Sequence, residues 1–177
     1  TDDGFIETDD QMRTTDENIF SVGDAAGTPH LAHLTYREAK VAAAAAAGED
    51  TSFDNEYLPA VMYTDPEVAV VGLNETDARE QHDELKIGQV DLSASGRALT
   101  ANKTAGYVKV IADADGKLLG AQIVGARASD SIAEVTLALE MDASLDDITR
   151  TIHAHPTFPE AVAEAAEAAS GESIHSQ

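Results

Sequence analysis

The chain contains no cysteine, which excludes a disulfide framework and any thiol nucleophile of its own. Basic residues are scarce. Eleven Lys and Arg stand against 33 Asp and Glu, giving a formal charge of −22. A surface of that sign repels phosphate backbones and anionic lipid, so nucleic acid and membrane surfaces are excluded as partners. No stretch approaches the roughly 20 apolar residues of a membrane span. The start lacks the basic and apolar regions of a secretory signal, and we read the protein as cytoplasmic. The first residue is Thr1, and "TDDGFIETDDQMRTTDENIF" (1–20) opens as if in mid-domain. A portion of a longer protein is expected.

What is present suffices for a core. Hydrophobic residues make up 43% of the 177, with much alanine and only 5% aromatics. That length suits one domain, or one domain plus a piece of another. The acidic charge is spread through segments that look folded, and strands such as Val68 to Val71 argue against disorder. Such a surface suits concentrated salt, where screening removes most of the self-repulsion.

Two units are expected. Ile19 to Val22 in "NIFSVGDAAGTPHLAH" (18–33) predicts a short strand ending at Gly23-Asp24. A helix from about Leu31 to Ala47 follows, with Gly48 as its cap. The polar stretch "GEDTSFDNEYLP" (48–59) marks a boundary. Beyond it come two strands flanking Asp65-Pro66, a helix capped by Asn74, and a strand in "KIGQVDLSAS" (86–95). A hairpin follows, with alternation from Tyr107 to Ile111, a turn at Asp115-Gly116, and a return strand from Leu118 to Val124. An apolar helix carries Ile132, Val135, Leu137, Leu139 and Met141, and "SLDDITRTI" (144–152) reads as a short capped helix. Residues 57–171 are therefore expected to form an α+β unit, an antiparallel sheet flanked by helices. Residues 1–48 are expected to be a short piece of an α/β nucleotide-binding domain.

Three places could carry chemistry. Asp24 follows a predicted strand, where a carboxylate can accept hydrogen bonds from ligand hydroxyls, or where Gly-Asp can simply end the strand in a turn. The helix after it offers free N–H groups and a positive dipole end. His30 and His33 have a spacing common among metal ligands, but with no cysteine and no HExxH pattern we expect no metal. In "TIHAHPTFPEAVAEA" (151–165), Pro156 favours an extended, turn or cis conformation at His155. Glu160 has two readings that compete for one carboxylate. It can form a capping box with Thr157, or it can fix the tautomer of a histidine and activate it as a base.

Together, "TTDENIFSVGDAAGTPHLAH", "YTDPEVAVVGL", "GYVKV" with "LLGAQIVG", and "TIHAHPTFPEA" resemble the C-terminal part of the dihydrolipoamide dehydrogenases, within the flavin disulfide oxidoreductase family. The order and spacing agree along nearly the whole chain. The resemblance implies that Asp24, with the backbone of Leu31, Ala32 and His33, lies against FAD. It implies that residues from about 57 onward are the dimerisation domain of a homodimer. It further implies that His155 accepts the proton of a dihydrolipoyl thiol, oriented by Glu160, across the dimer interface. His153 would be a supporting neighbour. The His-Pro bond is characteristically cis in that family. Electrons would pass through a disulfide and FAD to NAD. The partners implied are the lipoyl domains of 2-oxoacid dehydrogenase complexes or of the glycine cleavage system. His30 stands where the family commonly has methionine. The glycine-rich FAD and NAD fingerprints and the redox cysteine pair are absent from these residues, so this chain by itself should not catalyse the reaction. A stand-alone dimerisation module, or part of another disulfide or mercuric-ion reductase, are the other readings.

Overall fold

Period-2 burial organises the second half of the chain. In the structure, a computed structural model describing residues 2–172, Val108 and Val110 of one strand and Ala121 and Ile123 of the next are buried, while Lys109 and Gln122 face the other way. These strands, β4 (Tyr107–Asp113) and β5 (Leu118–Gly125), close through a turn in which the Gly116 N–H donates to the Asp113 carbonyl at 3.0 Å. Gly116 has φ +92°, a conformation costly for any residue with a Cβ.

Around this hairpin stand β1 (Ala60–Met62), β2 (Glu67–Gly72) and β3 (Leu85–Asp91). All neighbours are antiparallel, in the order β1-β2-β5-β4-β3. This is the antiparallel sheet flanked by helices that the sequence predicts. Helix α2 (Glu75–Gln81) is capped by Asn74, whose side chain accepts from the Asp77 N–H. Helix α4 (Ala128–Glu140) packs over β2 and β5, and α6 (Glu160–Ser170) over β3 and β4, with α5 (Leu145–Thr149) against α6.

The helices share one core. Ile132, Val135 and Leu139 of α4, Leu145 and Ile148 of α5, and Ala161, Val162, Ala165 and Ala166 of α6 join the buried residues of the sheet in one cluster. Alanine on α6 lets its backbone approach closely. A Cβ on Gly88 in β3 would overlap the Ala165 carbonyl oxygen and the Ala169 nitrogen. That approach holds α6, whose first residue is Glu160, close on β3.

The chain divides into two compact units, one up to Glu56 and one from Tyr57. In the first, α1 (Ala32–Ala46) packs Val41 and Ala42 against Met12, Phe20, Val22 and Phe53. The polar boundary segment is tied to this unit. Phe53 N–H donates to the Asp10 carbonyl at 2.7 Å, and Arg37 pairs with Asp54 at 2.8 Å.

Several expectations fail locally. Ile19 to Val22 is not a strand. Only an isolated bridge, Arg13 to Phe20, forms there, because Met12 at φ +65° turns the partner segment away after one rung. The strand predicted over 86–95 stops at Asp91. A 3₁₀ turn (Leu92–Ala94) and helix α3 (Gly96–Ala101) follow, the helix capped by Ser95. The capping box at Thr157 is also incomplete. Helix α6 starts at Glu160 behind Pro159, and the Thr157 hydroxyl donates to the Ala154 carbonyl at 2.7 Å instead of accepting from the helix.

Candidate functional site

The loop between α5 and α6 carries both histidines of the HAHP motif. Its entry is rigid: Ser144 and Asp147 form a reciprocal capping box, and Leu145 and Ile148 are buried. Its exit is rigid because α6 lies close on β3. The His155–Pro156 peptide is cis.

Glu160, the first residue of α6, serves both of its candidate partners. Its Oε1 lies 2.7 Å from His155 Nδ1, and its Oε2 accepts the Thr157 N–H at 2.5 Å. The two readings of Glu160 therefore do not compete, because each takes one oxygen. A carboxylate only accepts, so Nδ1 carries the proton and Nε2 keeps its lone pair. The ring is 77% exposed, and among the described residues Nε2 has no hydrogen-bond partner. A side chain at Gly96, at the start of α3, would stand 3.8 Å from His155 Cε1, so glycine there leaves room beside the ring.

The electrostatics favour an ionised Glu160. Partial burial pushes its carboxyl up. The Thr157 N–H, the hydrogen bond from His155, and the positive charge that His155 and His153 carry when protonated outweigh that and hold it below the ordinary glutamate value. The result is an exposed imidazole with an outward lone pair and an anionic partner behind it. Such a group can accept a proton and stabilise the cation it becomes. A depression of about 600 Å³ beside the loop is lined by Arg97, Lys103, Arg127, Thr157 and Phe158.

His153 differs from its neighbour. It is 10% exposed; Nδ1 lies 2.9 Å from the Thr151 carbonyl and Nε2 lies 2.7 Å from Glu134 Oε1 on α4. Sequence reasoning missed Glu134. Its only sign there was an acid between the apolar positions Ile132 and Val135 of a largely apolar helix.

The predicted cofactor residues lie in the first unit. Asp24 sits in a 3₁₀ turn (Gly23–Ala25), not at a strand end. The Gly23 N–H donates to Glu38 of α1 at 2.6 Å, and a Cβ on Gly23 would stand 2.6 Å from Thr35 Oγ1, so the turn needs glycine to sit on this helix. Asp24, Ala32 and His30 line one open depression of about 460 Å³, together with Thr35 and Tyr36. Leu31 is the N-cap of α1, no side chain caps that helix, and His33 is exposed in its first turn. His30 meets the Phe5 ring edge to face at 6.0 Å.

Residues 58–166 match the family described as pyridine nucleotide-disulphide oxidoreductase, dimerisation domain. Over 177 residues the chain is 54% identical to dihydrolipoyl dehydrogenase 2 of Haloarcula marismortui, covering 99% of this chain and 38% of that protein. It is 51% identical to dihydrolipoyl dehydrogenase of Haloferax volcanii, covering 98% of this chain and 37% of that one. In fold it is similar to the HOCl-induced flavoprotein disulfide reductase RclA from Escherichia coli. That TM-score is 0.89 over 94% of this chain and 39% of the other, at 23% identity. The chain thus spans less than two-fifths of the length of the curated relatives it matches.

Proposed function

Because the chain belongs to the pyridine nucleotide-disulphide oxidoreductases and carries their dimerisation domain over residues 58–166, we propose that it is the C-terminal part of an FAD- and NAD-dependent dihydrolipoyl dehydrogenase. In this reading it contributes the base, His155, and its partner, Glu160, to a homodimer that oxidises the dihydrolipoyl groups of lipoyl domains. The observation that carries the reading is the 2.7 Å bond between His155 Nδ1 and Glu160 Oε1, with Nε2 turned to the open side of an exposed ring.

His155 Nε2 accepts the proton of the substrate thiol as the sulfur becomes a thiolate. The positive charge gained by the ring is balanced by Glu160, which the Thr157 N–H keeps in place. When the ring later returns the proton, the same bond restores the tautomer. General-base action of this kind contributes about 10² to 10⁴-fold.

Bound FAD would carry the electrons from a dithiol–disulfide couple to NAD. The residues of this chain fit one rim of such a cofactor. Asp24 is exposed in the first unit's depression, where its carboxylate can accept from sugar or ribityl hydroxyls. The first turn of α1, with Leu31, Ala32 and His33, has no side-chain cap and offers backbone and a positive dipole end to a polar ring edge.

Self-association is supported by α4. One side of the helix is buried on the sheet, yet Leu137 on the helix and Met141, its C-cap, are 65% and 72% exposed. Apolar groups of that size, left in water, mark an interaction surface.

The test is the full-length protein with His155 replaced by Gln. Dihydrolipoamide oxidation by NAD should fall by about 10² to 10⁴-fold, while FAD content and a dimeric mass in ultracentrifugation are retained. Unchanged turnover in that variant would overturn the reading.

A further inference from the structure

One largely enclosed histidine and one acid have no part in the proton transfer above. They are His153 and Glu134, 19 residues apart and 2.7 Å apart in space. We infer that this pair is a positioning device for His155: it anchors the loop to α4 so that the His155–Glu160 bond and the outward Nε2 hold one geometry. The inference rests on the reading of His155 as the base.

Three features point to it. First, the histidine with an acceptor oxygen within hydrogen-bond distance of each ring nitrogen is the enclosed one, 10% exposed, and not the proposed base. Second, around His155 the loop closes a ring of bonds upon itself. Glu160 holds His155 Nδ1 and the Thr157 N–H, and the Thr157 hydroxyl holds the carbonyl of Ala154. Ala154 is the single residue between the two histidines, so a shift of His153 passes directly into that ring. Third, the anchor is stiff. Glu134 lies in the middle of α4, flanked by Ile132 and Val135, which are buried on the sheet. An exposed imidazole tied at one nitrogen has little else to fix its direction, and a misplacement of about 1 Å in a reacting group can cost about 10²-fold in rate.

His153 acts through His155 in this account, so its effect must disappear when His155 is gone. The experiment is a double-mutant cycle in the full-length FAD-loaded enzyme, with turnover of dihydrolipoamide as the readout. His153→Leu should lower kcat by about 10- to 100-fold and leave the KM for NAD unchanged. His153→Gln keeps a donor toward Glu134 and should stay within about threefold of wild type. Added to His155→Gln, His153→Leu should cause no further loss. Should His153→Leu fail to fold, Glu134→Ala removes the same bond from the helix side and should show the same loss and the same non-additivity.

A second readout is the NMR signal of the His155 Nδ1 proton, sharp in the wild type and His153→Gln and broadened in His153→Leu or Glu134→Ala. Wild-type kcat in both His153→Leu and Glu134→Ala would overturn the inference. So would a further 10- to 100-fold loss on the His155→Gln background, which would mark a role independent of the base. Wild-type turnover in His155→Gln alone strikes the base reading instead, so the two failures are distinct.

Discussion

Replacing Glu160 by glutamine should damage turnover far more than its position at the start of a helix suggests. Both oxygens of Glu160 are accepting, one from His155 Nδ1 at 2.7 Å and one from the Thr157 N–H at 2.5 Å. A glutamine has one oxygen and one NH₂. If the oxygen keeps Thr157, the NH₂ donates to Nδ1, and the ring proton moves to Nε2, the nitrogen that must be the acceptor. If the oxygen keeps His155, the NH₂ confronts the Thr157 N–H and leaves a donor unmet, at about 1–3 kcal/mol. That cost depletes the productive tautomer by about 5- to 150-fold. Exchanging a charge-assisted hydrogen bond for a neutral one removes about 1 kcal/mol more, another fivefold. The product is a loss of about 25- to 750-fold in kcat. The assay is steady-state dihydrolipoamide oxidation by NAD in the full-length enzyme, with ¹⁵N NMR of the His155 ring to read the tautomer. Turnover within about twofold of wild type, with the proton still on Nδ1, would refute the reasoning.

Three further outcomes follow from the same geometry. The hydrogen bond from Lys109, then that from Arg79, then the Lys109 charge hold Glu75 below the ordinary glutamate value. A carboxyl lowered in the folded state stabilises fully above its unfolded value, and that share is lost as pH falls through the folded one, below about pH 5. Lys109→Met should therefore lose less stability than wild type on acidification from pH 6 to 3, measured by urea unfolding; parallel curves would contradict this. Gly88→Ala should destabilise by about 1–3 kcal/mol or more, since its Cβ meets α6 backbone and not a yielding side chain; a cost under about 0.5 kcal/mol would contradict the packing. With −22 charges, Tm should fall when salt drops from 1 M to 0.1 M, as the Debye length grows from about 3 Å to about 10 Å. Equal melting temperatures at the two concentrations would remove the electrostatic account.

The amino-acid order alone determined whatever rests on near neighbours. Alternation and an Asp-Gly turn were enough for the β4–β5 hairpin, and Asn74 and Ser144 announced their helices. His155 and Glu160 are five residues apart, bridged by a proline and the first residues before α6, so their pairing was legible as a motif. Tertiary structure decided what depends on distant partners. Ile19 to Val22 has the composition of a strand, yet a strand exists only where a second segment continues the ladder, and Met12 turns that segment away. Helix α3 is six residues long with one buried side chain, Ala98, too little periodicity for a sequence pattern to show. Nor could spacing reveal that Glu160 serves two donors, one with each oxygen, because that follows from how the loop folds back over the first residue of α6. Glu134 reaches His153 across 19 residues because the fold brings the middle of α4 beside the α5–α6 loop, and that meeting is a property of packing.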